Sequence, residues 1–310
     1  IYNAFDIYWN SDEAVPSEHV LDSKQLSYQM YKKELLKEID MYDKSPSGKA
    51  VVNSDFNRKI SKKELILNVA KQTDFYYDLP SKVNTDEKET ANHISTQLTE
   101  ELMKVKKELV IISPYFIPSS RLMDALRREA ESGVDITIIT NSLASTDVFP
   151  VYSGYQDDIK SLVQMGIKLY ELKPDSFKSH ISKTEWANPN SISLHTKMMI
   201  FDDDRLGVGS ANIDPRSSKL NTELFMIISS EKLTKEKKKQ LDKVINMENL
   251  YQLSWGRYPK EFDDDMTRYG PIWHTMEEGR EKIYYAPPHT GFWKRLGTDI
   301  LTHFPIRGYL

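Results

Sequence analysis

Apolar and polar positions follow two rhythms along this chain of 310 residues. Near the start, IYNAFDIYWNSD is apolar and aromatic and reads as the end of a helix. Leu26, Met30, Leu35 and Ile39 recur at helical spacing, which predicts a helix from about Lys24 to Asp43. Residues 44–72 are polar and lysine-rich and read as a surface excursion. From about residue 74 short apolar runs alternate with helical patterns. FYY at 75–77 is a candidate strand, a helix is expected from about Ala91 to Lys107, and ELVIIS at 108–113 is a buried strand. Ser119 or Ser120 caps the next helix, which carries Leu122, Leu126 and Ala130 along one face and has Gly133 past its end. DITIIT at 135–140, a helix from about Gln156 to Met165 stopped by Gly166, and IKLYEL at 167–172 continue the rhythm.

After a polar loop from Lys173 to Asn190 come SISLHTKMMIF, the acidic turn DDDR and LGVGS, a strand–turn–strand hairpin. ELFMIIS at 223–229 is a further strand, and Ser230 stands where it can cap the lysine-rich helix behind it. The last fifty residues mix aromatics, Pro and Gly and read as irregular. The alternation argues for an α/β sandwich with a largely buried sheet. Three parts are expected: 1–73, 74–245 and 246–310.

Composition narrows this little. Hydrophobic residues make up 39% and charged residues 28%, ordinary values for a globular protein. The net charge of −4 and the lack of a dense basic stripe argue against nucleic acid as a partner. Without cysteine there is neither disulfide nor thiolate chemistry. No run approaches the roughly 20 apolar residues that span a bilayer. The chain begins at Ile1 rather than Met, so the start is read as an excision point, with any targeting segment upstream.

The chemistry concentrates in SLHTKMMIFDDDRLGVGSANIDPRSSKLNTELF. His195 and Lys197, two apart on an expected strand, would point to one face. Asp202 falls in the turn, and Gly209, Ser210 and Asn212 at the end of the returning strand. An ammonium to offset an anion, an imidazole that can attack phosphorus or move a proton near neutral pH, and small polar groups to hold oxygens suit a phosphodiester. An H-x-K triplet alone arises about once by chance in such a chain, but H-x-K-x4-D-x6-G-S-x-N fixes six residue types and arises in roughly one such chain in 10^5 or fewer.

This pattern resembles the H-x-K-D signature of the phospholipase D superfamily. NIDPRSSKLNTE at 212–223, SPYFIPS at 113–119, TNSLASTDVFPVYSGY at 140–155 and YELKPD at 170–175 resemble bacterial cardiolipin synthases, especially the class C type. Residues about 75–310 resemble that family's C-terminal half, and FDIYWNSDEAVP at 5–16 the end of its N-terminal half. The resemblance implies an α-β-α sandwich around a mixed, mostly parallel sheet. It also implies phosphatidyl transfer through a phosphohistidine, with no cofactor and no metal. His195 would be the general acid/base, Lys197 the phosphate ligand and Asp202 structural. Ser210 and Asn212 would complete the phosphate pocket. Asn221 and Glu223 would support it, the glutamate orienting the histidine of an opposite half.

Two departures matter. The family pairs two signatures in one site, and here only His195 has a lysine two residues on; His19, His93, His180, His274, His289 and His303 do not. The partner signature must then come from a missing N-terminal half or from a second chain. Tyr152 stands where the family is expected to place a histidine near the substrate. The substrates implied are phosphatidylglycerol and a second phospholipid, possible donors including phosphatidylethanolamine, at the surface of a bacterial membrane as a peripheral protein. Phe292, Trp293, Phe304 and Tyr309 with Lys294, Arg295 and Arg307 suit a membrane interface or, equally, packing onto the domain. Asp147 and Asp157 read as a loop and an exposed helix residue. A homodimeric phosphodiesterase or nuclease with one signature per chain, and a catalytically incomplete binding module, are the competing readings.

Overall fold

The computed structural model describes residues 1–20, 28–64, 69–84, 93–176, 193–262, 268–304 and 306–309. The chain divides into two compact units. Among the described residues, one lies within Tyr2–Val69 and the other comprises Ile1, Ala70–Ser176 and the described residues from Ser193 onward.

The first of these units is helical: α1 (Tyr2–Trp9), α2 (Ser17–Val20), α3 (Tyr28–Lys44), α4 (Pro46–Val52) and α5 (Asp55–Ser61). The expected surface excursion contains two of these helices, because Ser45 and Ser54 supply caps. Their side chains accept from the amides of Gly48 and Asn57, and Pro46 occupies the first turn. The expected helix over 24–43 is α3. Lys24 and Leu26 lie outside the described residues, and Leu35 and Ile39 are exposed.

The larger unit is built on a ten-stranded sheet in the order β1-β7-β6-β5-β2-β3-β4-β8-β9-β10. Its strands are β1 (Gln72–Tyr77), β2 (Glu108–Ile112), β3 (Asp135–Asn141), β4 (Lys168–Leu172), β5 (Met198–Phe201), β6 (Arg205–Gly209), β7 (Leu224–Ser229), β8 (Leu250–Arg257), β9 (Tyr269–Glu277) and β10 (Arg280–Tyr284). The sheet is mixed, but the expectation that it is mostly parallel is corrected: among the described strands only β2–β3 and β3–β4 pair in parallel. The connections explain this. Helical crossovers join β2 to β3 and β3 to β4, whereas short turns force the hairpins β5–β6 and β9–β10 to be antiparallel. In the β9–β10 turn, Glu278 and Gly279 both have positive φ, the backbone of a type I′ turn.

The helices of this unit are α6 (Ile94–Leu102), α7 (Ser120–Glu131), α8 (Phe149–Gln156), α9 (Ile159–Gln164), α10 (Pro215–Lys219), α11 (Glu231–Asp242) and α12 (Phe292–Thr302). Leu109, Ile111, Ile136, Ile138 and Leu169 point to one face and form the core with Leu98, Leu126 and Leu162. On the other face, Val110, Thr137 and Tyr170 line a cavity together with Lys238 and Leu241 of α11. Ser119 and Ser230 cap α7 and α11 as expected.

The helix expected over 156–165 is α9, which starts only at Ile159; a further helix, α8, precedes it and ends at Gln156. Arg307 stabilises the break, donating to the Gly154 carbonyl at 2.6 Å and to the Asp158 carboxylate. The last fifty residues are also more regular than expected. They carry β9, β10 and α12, and with β8 they extend the sheet in the same compact unit as residues 74–176.

The register brings one set of strand ends together. Ile112 pairs with Met198 at the start of β5, Asn141 closes β3, Gly209 pairs with Phe225, and Tyr77 with Leu224. In α/β sheets this carboxyl edge of the parallel strands is where ligands bind.

Candidate functional site

His195 and Lys197 sit at that edge. They do not lie in a strand: β5 begins at Met198, and Ser193 to Lys197 form no ladder. One side chain holds the segment instead. Asn141 Nδ2 donates to the Leu194 carbonyl at 3.0 Å and the Leu194 amide donates to Asn141 Oδ1 at 2.8 Å, so an amide side chain imitates a neighbouring strand. Asn141 is itself fixed, donating to the Pro114 carbonyl and accepting from Ser145 Oγ. His195 is thereby presented to solvent while Lys197 is half-buried.

Lys197 Nζ donates to the carbonyl of His195 at 2.9 Å, which ties the ammonium to the histidine backbone. Partial burial pulls the Lys197 pKa below its ordinary value, and the carboxylates of Glu223, Asp147 and Asp214 oppose that pull. Asp147 in turn accepts from Tyr115 Oη at 2.9 Å, and burial together with this bond pushes the Tyr115 phenol up to about 12.

Glu223 is buried and its carboxylate is held on both oxygens. Ser217 Oγ donates to Oε1 at 2.8 Å, and Ser210 Oγ donates to Oε2. Each serine is oriented from behind by a backbone amide, that of Asn212 for Ser217 and that of Leu224 for Ser210. The proton of Ser210 is therefore committed to Glu223, and this residue braces the carboxylate. Asn221 Nδ2 lies 3.4 Å from Oε1, and Asn221 Oδ1 accepts from Arg216 Nε. Asn212 Oδ1 is buried without a hydrogen-bond partner among the described residues, an acceptor atom left open beside the Glu223 support.

Asp202 lies away from this group, at the far end of β5. It adopts a positive φ of 56°, and its carboxylate accepts from the amides of Lys106, Lys107 and Glu108. The Asp of the pattern thus ties the hairpin turn to the start of β2. Gly209 is required sterically: a Cβ there would meet the Leu224 carbonyl oxygen at 2.3 Å.

Residues 98–245, which contain every one of these groups from Asn141 to Glu223, match the family described as cardiolipin synthase, PLD-like domain. This stretch, just under half of the chain, is similar to the phospholipase D-like domain of cardiolipin synthases. Cardiolipin synthase C of Escherichia coli is 36% identical over 202 residues, covering 64% of this chain and 40% of that protein. An uncharacterized protein of Helicobacter pylori is 29% identical over 301 residues, 94% of this chain and 55% of that one. The chain thus spans about half the length of the curated relatives it matches. Among solved structures, phosphatidylserine synthase of Haemophilus influenzae aligns with a TM-score of 0.43 at 16% identity, over 64% of this chain and 46% of that one.

Within this α/β fold, the spacing pattern singled out His195 and Lys197, and the resemblance Glu223, but neither pointed to the residues that hold them. Asn141 and Ser217 were not singled out by any spacing, and Asp147 reads from the sequence only as a loop residue, because their roles depend on contacts across the strand ends. The expectation of a Tyr152 contact near the substrate is corrected. Tyr152 is 3% exposed, and its hydroxyl donates to the buried Glu171 at 3.0 Å. Asp157 is the residue on which α8 ends. Of the remaining histidines, His93 is the N-terminal cap residue of α6 and His180 lies outside the described residues. Among the described residues no cluster of His, Asp and Glu could hold a metal ion.

Proposed function

We propose that this chain supplies one catalytic half-site of a phosphatidyltransferase that makes cardiolipin from phosphatidylglycerol and a second phospholipid. The observation that carries the reading is the presentation of His195 to solvent beside a half-buried Lys197, with a braced carboxylate within electrostatic reach. In the first step a histidine from a second signature attacks phosphorus. His195 protonates the departing alkoxide, and the phosphatidyl group is left on the attacking nitrogen. In the second step His195 takes the proton from a hydroxyl of phosphatidylglycerol, whose oxygen displaces the histidine from phosphorus. Lys197 offsets the phosphate charge in both steps. The second signature comes from sequence preceding Ile1 or from a second chain.

A membrane surface is the partner this chemistry requires, with the protein bound peripherally to a bacterial membrane. α12 supports that reading. Phe292, Trp293 and Ile300 are exposed at 63%, 79% and 50%, Thr298 is buried, and the helix packs on α8. Among the described residues no helix is long and apolar enough to cross a membrane.

The test joins this chain to its upstream sequence and measures cardiolipin formed in phosphatidylglycerol vesicles. The reading expects product that disappears with His195→Ala; phosphatidic acid alone would show that water is the acceptor. Of the competing readings, the single signature of the sequence favours a homodimeric phosphodiesterase. It expects the isolated chain to be a dimer that cleaves a generic diester, and a monomer would remove it.

A further inference from the structure

Asp78 and Lys82 form an ion pair at 2.7 Å with side chains 0% and 1% exposed. Both precede residues 98–245 of the matched domain. A buried pair is expensive to desolvate, and apolar residues of like volume would serve stability as well. What distinguishes this pair is where its remaining hydrogen bonds go. Asp78 Oδ2, which accepts from Lys82, also accepts from the amide of Glu223 at 3.0 Å, and the Asp78 amide donates to the Glu223 carbonyl at 2.9 Å. Asp78 Oδ1 accepts from the amide of Ile94 at the start of α6. Lys82 Nζ donates to the carbonyl of Ser217 at 2.7 Å, and Ser217 is the residue whose hydroxyl holds Glu223 Oε1.

The ladder between β1 and β7 ends at Tyr77 and Leu224. Glu223 therefore stands one residue beyond it, where nothing in the sheet fixes its backbone. Asp78 supplies that fixation with its own amide and carboxylate, and Lys82 fixes α10 against the same point. We propose that Asp78 and Lys82 are positioning residues for Glu223, a two-residue strut that sets where its carboxylate stands relative to Lys197. The consequence for catalysis rests on the phosphatidyl-transfer reading; the positioning does not.

Two measurements test the strut. The first needs no substrate. In Lys82→Met, amide hydrogen exchange at Asn212, Glu223 and Leu224 is expected to accelerate at least tenfold, while Ile111 and Ile138 in mid-sheet are unchanged. Lys197 should also titrate lower as Glu223 withdraws. Should Lys82→Met fail to fold, Asp78→Asn, which keeps the side-chain shape, carries the same test. The second is a double-mutant cycle in the enzyme with its upstream half restored. Lys82→Met is expected to lower kcat at least tenfold at unchanged KM in the wild-type background, and to have no further effect in Glu223→Gln. Exchange that rises uniformly through the sheet, or a kcat loss that adds in full to that of Glu223→Gln, would overturn the proposal. No turnover by the wild type, together with the local exchange pattern, would sink the lipid reading and leave the strut standing.

Discussion

Asp202 shows how a residue of the signature can serve the backbone, its carboxylate occupied by amides away from His195 and Lys197. It takes a left-handed backbone, where an aspartate is tolerated better than most residues, and its carboxylate gathers three successive amides at the entrance to β2. Asp202→Ala should cost about 1 kcal/mol in urea unfolding, because three amides, two exposed and one half-buried, lose a charged acceptor. Asp202→Asn, which keeps one oxygen and tolerates the backbone, should cost less than half of that. Glu171 makes a second case. It is fully buried, accepts from Trp273 Nε1 at 2.9 Å and from Tyr152, and burial raises its pKa from 4.5 to about 7. Between those values the folded chain keeps a proton that the unfolded chain has released. The stabilisation Glu171 contributes is complete below its unfolded pKa and is lost as pH rises through about 7. Unfolding free energies of wild type and Glu171→Gln, measured from pH 5 to 8, should therefore diverge by on the order of 3 kcal/mol, the wild type falling relative to the variant. Spacing disclosed the Asp of the signature, whereas the Glu171 cluster joins side chains from α8, β4 and β9 that no local pattern links.

The element that decides the site is the stretch Ser193–Lys197, held short of β5 by Asn141. The H-x-K spacing suggested a strand with both side chains on one face. Instead the segment leaves the ladder, His195 faces solvent, and the lysine turns back to the histidine carbonyl. Asn141→Ala removes both hydrogen bonds to Leu194. The expected result is faster amide exchange at Leu194 and weaker binding of inorganic phosphate, with mid-strand amides of β2 and β3 unaltered; a loss of protection across the whole sheet would show a purely structural role. Helix boundaries were legible where caps are local, as at Ser119 and Ser230. They were not legible at the α8–α9 break, because the group that satisfies it, Arg307, lies about 150 residues further on.

For the whole molecule, the exposed aromatics of α12 make a prediction of their own. If the helix meets lipid, vesicles containing phosphatidylglycerol should blue-shift Trp293 fluorescence, and Phe292→Ser with Trp293→Ser should reduce vesicle binding about tenfold without changing the melting temperature, since both side chains are exposed. The sequence by itself determined that this is an α/β chain, where its signature lies and which superfamily that signature resembles. These follow from periodicities of two and 3.6 residues and from fixed spacing, which are local and survive in one dimension. Only the tertiary structure decided that the sheet is mainly antiparallel and that it extends through β8–β10. It also decided that Ser210 and Ser217 serve Glu223, and that Asp78 and Lys82 stand behind it. The reason is the same in each case: strand order, and the hydrogen bonds of a buried polar group, are chosen among partners far apart in sequence. The choice is made by which arrangement leaves the fewest such groups unsatisfied once water has been removed.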